Sequence, residues 1–129
     1  FSAFDRRKLD EYAKQAREEF GNTKEYEEYT EKSKNRTDQE ERLIADRFML
    51  LFKEAGGMKD MDPASPQAQD LVKRIQDFIT ENAYTCSKQI LSGLGKMYSG
   101  GGDFTKNIDE AGGEGTSEFV DKAIQIYCG

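Results

Sequence analysis

One stretch of the chain has the composition of a phosphate-binding loop. Residues 92–103, SGLGKMYSGGGD, hold five glycines and one lysine in twelve positions. A phosphate-binding loop needs Gly, four residues and then Gly-Lys-Ser/Thr, so that backbone N–H groups surround the phosphate and a hydroxyl reaches magnesium. Met97 occupies the position of that hydroxyl and Ile90 that of the first glycine, while Tyr98 replaces the third glycine of a dinucleotide-binding loop. The spacing therefore does not predict a phosphate site.

The histidine and cysteine content argues against catalysis and metal binding. The chain contains no histidine, which excludes Ser-His-Asp and Cys-His catalysis and HExxH zinc sites. Cys86 and Cys128 are far apart in the sequence and form no CxxC motif, so neither a metal site nor a thioredoxin-like motif is predicted. Carboxylates occur in runs such as residues 25–28, which is typical of a solvated helix face. We therefore expect a protein that is not an enzyme and uses no cofactor.

The net charge indicates which partners the chain can bind directly. Its 129 residues fit one domain, and 25 acidic against 19 basic residues give a net charge of −6. This charge repels nucleic acid and anionic membranes, and no basic stripe offsets it. No apolar run approaches the roughly 20 residues of a membrane-spanning helix. We expect a soluble, cytoplasmic domain that does not contact a membrane, and the first residue, Phe1, favours a longer polypeptide upstream.

The first half of the chain has the apolar spacing of α-helices. Leu9 to Phe20 follow one helix face, which ends at the Gly-Asn pair 21–22. Residues 23–34 carry Tyr26 and Tyr29 as their only apolar anchors, so this segment buries little surface to offset its ordering entropy. Thr37 opens a capping box and the most strongly patterned helix follows. The apolar face of that helix consists of Leu43, Ile44, Phe48, Leu51, Phe52 and Ala55.

Two further helices follow a Gly- and Pro-containing connection. Ser65 is the expected cap of the first, with Pro66 at its first helical position. The helical pattern becomes weaker around residues 81–82, and near Thr85 we expect the next helix either to begin or to continue from this one. Gly100 to Gly102 must end that next helix, because each glycine costs a helix about 1 kcal/mol relative to alanine.

The last part of the chain predicts two more helices, for about six to seven in an all-α domain. Asp103 is expected to cap a short helix through Ile108, and Thr116 to cap the final helix, which carries Phe119 to Tyr127. Two glycines, at positions 93 and 95, fall inside a predicted helix. They indicate the close approach of another group, which is either a neighbouring helix or a ligand.

Four short runs carry a resemblance to a known family. They are Asn82-x-Tyr84-x-Cys86, Gly93-Leu-Gly-x-Met-Tyr98, Phe104-Thr-Lys-Asn-Ile-Asp109 and Ala123-Ile-x-Ile-Tyr-Cys128. These runs resemble the TipAS drug-recognition domain, the C-terminal effector domain of MerR-family regulators of the TipAL and Mta type. The similarity extends from about Phe4 to Cys128, and the block from Asn82 to Asp109 is its most specific part.

The resemblance implies a globin-like helical domain with a ligand cleft. Its relatives bind large, apolar, multi-ring compounds, notably thiopeptide antibiotics, and their N-terminal helices are mobile until the ligand arrives. Residues 1–129 are accordingly expected to form one such domain, with residues 1–36 as a mobile lid and residues 37–129 as a helical core. The few apolar anchors of residues 23–34 agree with that division.

One departure from the family pattern bears on the chemistry of binding. Members that capture thiopeptides resemble this chain but carry a cysteine directly before Leu-Gly-x-Met-Tyr, and its thiolate adds to a dehydroalanine of the antibiotic. Gly93 stands at that position here, so the resemblance implies non-covalent binding. Cys86 would lie two turns earlier on the same helix face, where it could approach the cleft or simply be a small buried residue.

The expected ligand-binding residues follow from placing Gly93 in the cleft wall. Ile90 and Met97 share its helix face at spacings of three and four residues, and three aromatic side chains are expected at the rim. Any of the large apolar members could instead belong to the core, since core and pocket use the same residue types. The candidate set is Tyr84, Cys86, Ile90, Gly93, Met97, Tyr98 and Phe104.

Three functions agree with these features. The first is the effector-binding domain of a MerR-type transcription activator, with a DNA-binding part and a dimerising coiled coil upstream of Phe1. In that case the isolated domain would be monomeric, the full-length regulator would be a homodimer, and DNA would be contacted only through the N-terminal domain. The second is a free-standing protein that sequesters antibiotic, and the third is a helical module that binds another protein.

Overall fold

The computed structural model describes residues 23–129, and this part of the chain contains six α-helices and no β-strand. The helices are α1 (Lys24–Ser33), α2 (Asp38–Gly56), α3 (Pro66–Asn82), α4 (Lys88–Tyr98), α5 (Asp103–Gly112) and α6 (Thr116–Cys128). The all-α class is therefore confirmed, and the second to seventh predicted helices are each present. The first predicted helix, residues 9–20, lies outside the described residues.

Hydroxyl side chains begin α2 and α3 as the sequence predicts. The N–H of Glu40 donates to Thr37 Oγ1 over 3.1 Å, and the Glu40 carboxylate accepts the Thr37 N–H over 3.5 Å, which completes the capping box. Ser65 Oγ accepts the Ala68 N–H over 3.3 Å. Pro66, which has no N–H to satisfy, stands directly after this cap. These caps satisfy N–H groups that the first turn leaves unpaired.

The last two helices begin one residue away from their predicted caps. Gly102 is the N-cap of α5, so Asp103 is its first residue, and Gly115 in a left-handed conformation is the N-cap of α6. Thr116 is the first residue of α6, and its hydroxyl donates back to the Gly113 carbonyl over 2.6 Å. Neither glycine has a side chain that could cap the helix, and only Gly115, with φ 91°, requires the left-handed backbone that glycine adopts readily.

Helix α5 continues past its predicted end because its last turn, like the turn before it, has a tertiary partner. It continues past Ile108 to Gly112. Ile108 is fully buried, and the carboxylate of Asp109 accepts the N–H of Ser117 over 2.8 Å. The prediction that this helix ends at Ile108 is therefore wrong.

The core lies between α2, α3, α4, α5 and α6. Its largest fully enclosed side chains are Phe52, Leu71, Ile75, Leu91, Tyr98, Ile108 and Ile124. The predicted apolar face of α2 holds in part: Phe52 and Ala55 are buried, whereas Leu43 is 48% exposed. Leu43 is exposed because the inner face of α2 passes through Ala45, which places Leu43 on the opposite side of the helix.

The C-terminal ends of α2 and α5 touch backbone to backbone. A Cβ on Gly56 would lie 2.1 Å from the carbonyl oxygen of Gly112, and a Cβ on Gly112 would lie 2.7 Å from the carbonyl oxygen of Phe52. Both ends carry the same tetrapeptide, Glu-Ala-Gly-Gly, at residues 54–57 and 110–113. The two helices can approach this closely because neither glycine has a side chain.

Gly56→Ala should therefore destabilise the protein by about 3 kcal/mol or more, since the methyl group meets backbone atoms that cannot rotate away. Gly57→Ala is the matched control: its Cβ would lie 3.3 Å from the Glu54 carbonyl oxygen, and we expect a change below about 1 kcal/mol. Urea denaturation of the two variants measures both values. Equal stability of the two would contradict the close backbone contact.

Candidate functional site

Helix α4 is held against α6 by a chain of polar side chains. Ser92 Oγ donates to Gln125 Oε1 over 2.7 Å, and Gln125 Nε2 donates back to the Ser92 carbonyl over 2.9 Å. Gln125 Nε2 also donates to Asp121 Oδ1 over 2.9 Å, and Ser99 Oγ donates to Asp121 Oδ2 over 2.7 Å. These contacts run along both helices in opposite directions, so they determine which face of α4 is turned toward α6.

The two glycines within α4 have different surroundings. A Cβ on Gly95 would lie 3.0 Å from Ile124 Cγ2 and 3.0 Å from Asp121 Oδ1, so Gly95 permits the close approach of α6. Gly93 is exposed, and no atom of the described residues lies within 4 Å of the Cβ it would carry. The sequence left a helix contact and a ligand as alternatives for both glycines. The structure assigns the helix contact to Gly95 and leaves open space beside Gly93.

The side of α4 away from α6 presents an apolar surface around Gly93. Ile90 and Leu94 are half-buried, and Met97 is 47% exposed. At spacings of three and four residues these side chains project on one side of the helix. The predicted common face of Ile90, Gly93 and Met97 is therefore an accessible apolar surface, and Leu94 belongs to it although the sequence analysis did not include it among the site residues.

Tyr98 lies in the core and not at the rim of a cleft. Its ring meets Phe52 edge to face with a centroid distance of 5.3 Å and Phe104 at 5.5 Å. Burial raises the pKa of Tyr98 far above its ordinary value. The prediction that Tyr98 lies at the rim is wrong because Tyr98 falls on the same inward face of α4 as Leu91, seven residues earlier. Phe104 is half-buried at the start of α5.

Cys86 precedes α4 instead of belonging to it. The helix begins at Lys88 with Ser87 as its N-cap, and Ser87 Oγ accepts the Ile90 N–H over 3.2 Å. The Cys86 N–H donates to Thr80 Oγ1 over 3.1 Å. Cys86 therefore does not lie two turns from Gly93 on one helix face, and the predicted geometry is wrong at this point.

Neither cysteine has the surroundings of a reactive thiol. Cys86 is buried, and both cysteines are free. Burial, with a smaller effect from nearby Cys128, raises the pKa of the Cys86 thiol to about 11. Burial also raises the pKa of Cys128, whose Sγ donates to the Lys88 carbonyl over 3.1 Å. The interpretation of Cys86 as a small buried residue is the one that agrees with these values.

Tyr84 lies in the turn between α3 and α4, beside the core. Its ring is half-buried and packs against the core cluster, and its N–H donates to the Ile79 carbonyl over 3.1 Å. Burial raises the pKa of the Tyr84 hydroxyl to about 12, with smaller contributions from Cys86 and Glu25. The phenol is therefore neutral at physiological pH and can offer a ligand both a ring face and a hydroxyl.

Two aromatic residues outside the predicted set continue the ring packing of Tyr98 toward α3. Phe48 and Phe78 stack with a centroid distance of 5.3 Å and an interplanar angle of 20°, and both are half-buried. Phe48 also meets Phe52 edge to face at 5.0 Å. A row of five rings thus runs from α3 through α2 and α4 to α5. The sequence predicts Phe48 on the apolar face of α2, but its pairing with Phe78 depends on how α2 packs on α3.

The surface has the chemistry of a site for hydrophobic molecules. It consists of half-buried or exposed apolar side chains, one of them a polarizable thioether, and demands few directional hydrogen bonds from a ligand. Among the described residues, no three acidic, cysteine or histidine side chains come together as metal ligands. Between residues 23 and 129, no helix has both the length and the apolar character that crossing a bilayer requires.

Comparison with known proteins identifies the family. The model of the TipAS antibiotic-recognition domain matches residues 12–127. The chain belongs to this family. Its residues are 31% identical over 118 positions to the HTH-type transcriptional activator mta of Bacillus subtilis, covering 91% of the chain and 45% of that activator. They are 33% identical over 109 positions to the HTH-type transcriptional activator TipA of Streptomyces coelicolor, covering 79% of the chain and 41% of TipA. The chain therefore spans less than half the length of either activator.

The fold agrees with that of a TipAS domain in a solved complex. The structure of Streptomyces lividans TipAS with nosiheptide, described as a thiopeptide antibiotic multidrug resistance system, superposes with a TM-score of 0.78 at 29% identity. The match covers 92% of this chain and 84% of TipAS. The predicted globin-like helical fold and the predicted family are both confirmed.

Alanine at the two glycines of α4 should change stability in opposite directions. Gly93→Ala should raise the free energy of unfolding by about 0.5–1 kcal/mol. Alanine loses less backbone entropy than glycine when the helix forms, and its methyl group meets no neighbour among the described residues. Gly95→Ala should lower it by about 1 kcal/mol, because crowding against Ile124 outweighs the same gain in helix propensity. Thermal and urea unfolding measure both. A stabilising Gly95→Ala would show that α6 does not need the close approach.

Proposed function

We propose that this chain is the effector-binding domain of a MerR-type transcription activator and that it binds large, apolar, multi-ring compounds without a covalent bond. The observation that carries the proposal is the open apolar face of α4 around Gly93, in a fold shared with a TipAS domain that holds nosiheptide. The relationship to mta and TipA supports a regulatory role. An enzymatic role finds no support in the residues of this surface.

The proposed site comprises the candidate residues that remain accessible. They are Tyr84, Ile90, Gly93, Leu94, Met97 and Phe104. Tyr98 supports this wall from the core side through its contact with Phe104, and Cys86 is buried in the same turn that carries Tyr84. An apolar wall of this kind gains affinity from the area it buries and tolerates ligands of different shape.

Two observations support binding without covalent capture. Gly93 has no side chain at the position where thiopeptide-capturing members carry their cysteine. Cys86 is buried, and its pKa of about 11 leaves little thiolate near neutral pH. The open face of α4 thus has no thiol that could add to a dehydroalanine, and the Cys86 thiol in the neighbouring turn is mostly protonated near neutral pH.

DNA binding belongs to another part of the regulator under this proposal. The chain has a net charge of −6, which opposes direct contact with the phosphate backbone. Homodimerisation is likewise assigned to the coiled coil that joins the two parts in MerR-type proteins. Residues 37–129 are proposed as the ligand-binding core, and the described residues 23–36 as part of the lid.

A charge placed on the apolar face should weaken binding, and a matched surface position provides the control. Met97 and Ile126 are both 47% exposed, but Ile126 lies on α6, away from the face of that helix which contacts α4. Met97→Glu should weaken nosiheptide binding at least about tenfold, because the carboxylate must lose hydration beside an apolar ligand. Ile126→Glu should leave the affinity within about twofold. Calorimetric titration measures both, and equal affinities would place the site elsewhere.

Incubation with nosiheptide should leave the intact mass of the denatured protein unchanged near neutral pH. Gly93→Cys should acquire the mass of one ligand, because it restores a thiol on the open face. An adduct on the natural sequence at neutral pH would contradict non-covalent binding. Because the pKa of Cys86 is raised to about 11, any slow side reaction there should accelerate as pH rises from 7 to 9 and should be absent in Cys86→Ser.

A further inference from the structure

Helix α1 contributes no side chain to the fully buried core. None of its residues, all of which lie in the described range, is buried. Its two aromatic residues, Tyr26 and Tyr29, are half-buried and lie 6.5 Å apart, centroid to centroid. Both rings contribute apolar contact, and polar contacts of α1 with the described residues add to it.

Three charged side chains, two on α1 and one in the link to α2, contact the end of α3 and the turn after it, and the third, Arg36, also lies 3.9 Å from the Glu41 carboxylate of α2. The Glu28 carboxylate accepts the N–H of Thr85 over 3.0 Å and the Thr85 hydroxyl over 2.8 Å. The Lys32 ammonium donates to the Thr80 carbonyl, and the Arg36 guanidinium donates to the Asn82 carbonyl. Carbonyls in the last turn of a helix lack partners within the helix and carry its negative pole, so cations are favoured there.

The turn that Glu28 contacts is the turn that carries part of the proposed ligand wall. Thr85 lies between Tyr84 and Cys86 in the chain, and Glu28 engages both its backbone and its side chain. The hydrogen bonds from Thr85 are also the principal reason that the pKa of Glu28 is lowered. The carboxylate is thus ionised whenever α1 is attached near neutral pH.

We propose that Glu28, Lys32 and Arg36 form a latch that holds α1 against residues 80–85 and thereby positions Tyr84 for the ligand. The first part concerns the ligand-free domain, whereas the effect on ligand affinity rests on the proposed function. Glu28 is a positioning residue, since it acts on Tyr84 through Thr85. Ligand contact with Tyr84 and closure of α1 then favour each other, because each stabilises the same arrangement of the turn.

The latch is sensitive to ionic strength because two of its three charged members, Glu28 and Lys32, are partly exposed. Lys32 and Glu28, which are also 3.8 Å apart, retain 33% and 27% of their side-chain exposure. At about 1 M salt the screening length falls to roughly 3 Å, so contacts of this kind weaken. The apolar contacts of the core do not weaken in the same way.

Glu28→Gln tests the latch, with Glu31→Gln as the matched control. Both changes remove one negative charge from α1 without altering side-chain size, but the Glu31 carboxylate pairs within the same segment, with Lys34 at 2.8 Å. Without ligand, Glu28→Gln should speed amide hydrogen exchange in α1 about threefold to tenfold and shift the NMR signals of Tyr84 and Thr85. Glu31→Gln should leave those signals unchanged. Equal exchange rates in the two variants would overturn the latch.

Thr85→Val shows whether Glu28 acts through Thr85. The substitution removes the hydroxyl and keeps the shape of the side chain. If the two residues act as a pair, adding Thr85→Val to Glu28→Gln should accelerate exchange by less than the product of the separate effects. Fully multiplicative effects would overturn the assignment of Thr85 as the partner. High salt should also reduce the difference between Glu28→Gln and the natural sequence.

Nosiheptide affinity gives a separate readout. Glu28→Gln should weaken binding about threefold to tenfold, whereas Glu31→Gln should not change it. A normal affinity for Glu28→Gln despite faster exchange would overturn the positioning of Tyr84. Failure of the natural sequence to bind nosiheptide would instead count against the proposed function, while the exchange data would still decide the latch.

Discussion

The close packing of α4 on α6 determines what the rest of the domain can do. Gly95 lets the two helices approach until the side chains of Ile124 and Asp121 reach the backbone of α4, and the bonds of Ser92 and Ser99 to α6 determine the rotation of the helix. This rotation of α4 about its axis places Tyr98 in the core and leaves Gly93 exposed. The accessible apolar face of α4 is thus a consequence of a helix contact on its other side.

The aromatic row gives this face a rigid support. Tyr98 contacts Phe104 on one side and Phe52 on the other, and Phe52 contacts Phe48. The middle of the row is fully enclosed, whereas its ends are half-buried. Interiors packed at this density resist small displacements. A ligand on the α4 face would therefore meet a preformed wall, so any substantial conformational change must involve elements held less firmly than the core.

Apolar periodicity and side-chain caps made much of this fold predictable. Helices α2 and α3 combine a helical apolar pattern with the hydroxyl caps Thr37 and Ser65, and their predicted starts are correct. The errors at α5 and α6 arise because glycine is the cap in both helices and leaves no side-chain signal, while Asp103 and Thr116 next to it resemble caps. Cys86 was misplaced for a related reason, since Ser87 rather than Thr85 begins α4.

The candidate site was less predictable because it depends on tertiary contacts. Met97 and Tyr98 are adjacent in the chain and both apolar in character, yet one is 47% exposed and the other 2%. Helical spacing places them on different faces, but it does not say which face meets α6. The family resemblance pointed to α4 as the site helix but did not distinguish these two residues. The pairing of Phe48 with Phe78 likewise follows from how α2 and α3 pack together.

Apolar side chains form the face of α4, whereas charged side chains help to hold α1, and this separation suits a domain that responds to a ligand. A ligand shifts a conformational equilibrium only as far as it binds one state better than the other. Under the proposed function, the rigid face of α4 contributes affinity but little of that difference, because its arrangement does not depend on α1. Tyr84 can supply the difference, since it lies in the turn that Glu28 engages through Thr85. Under the proposed latch, the weak contacts of the partly exposed Glu28 and Lys32 keep the free energy of releasing α1 small, and a ligand of moderate affinity can offset a small free energy.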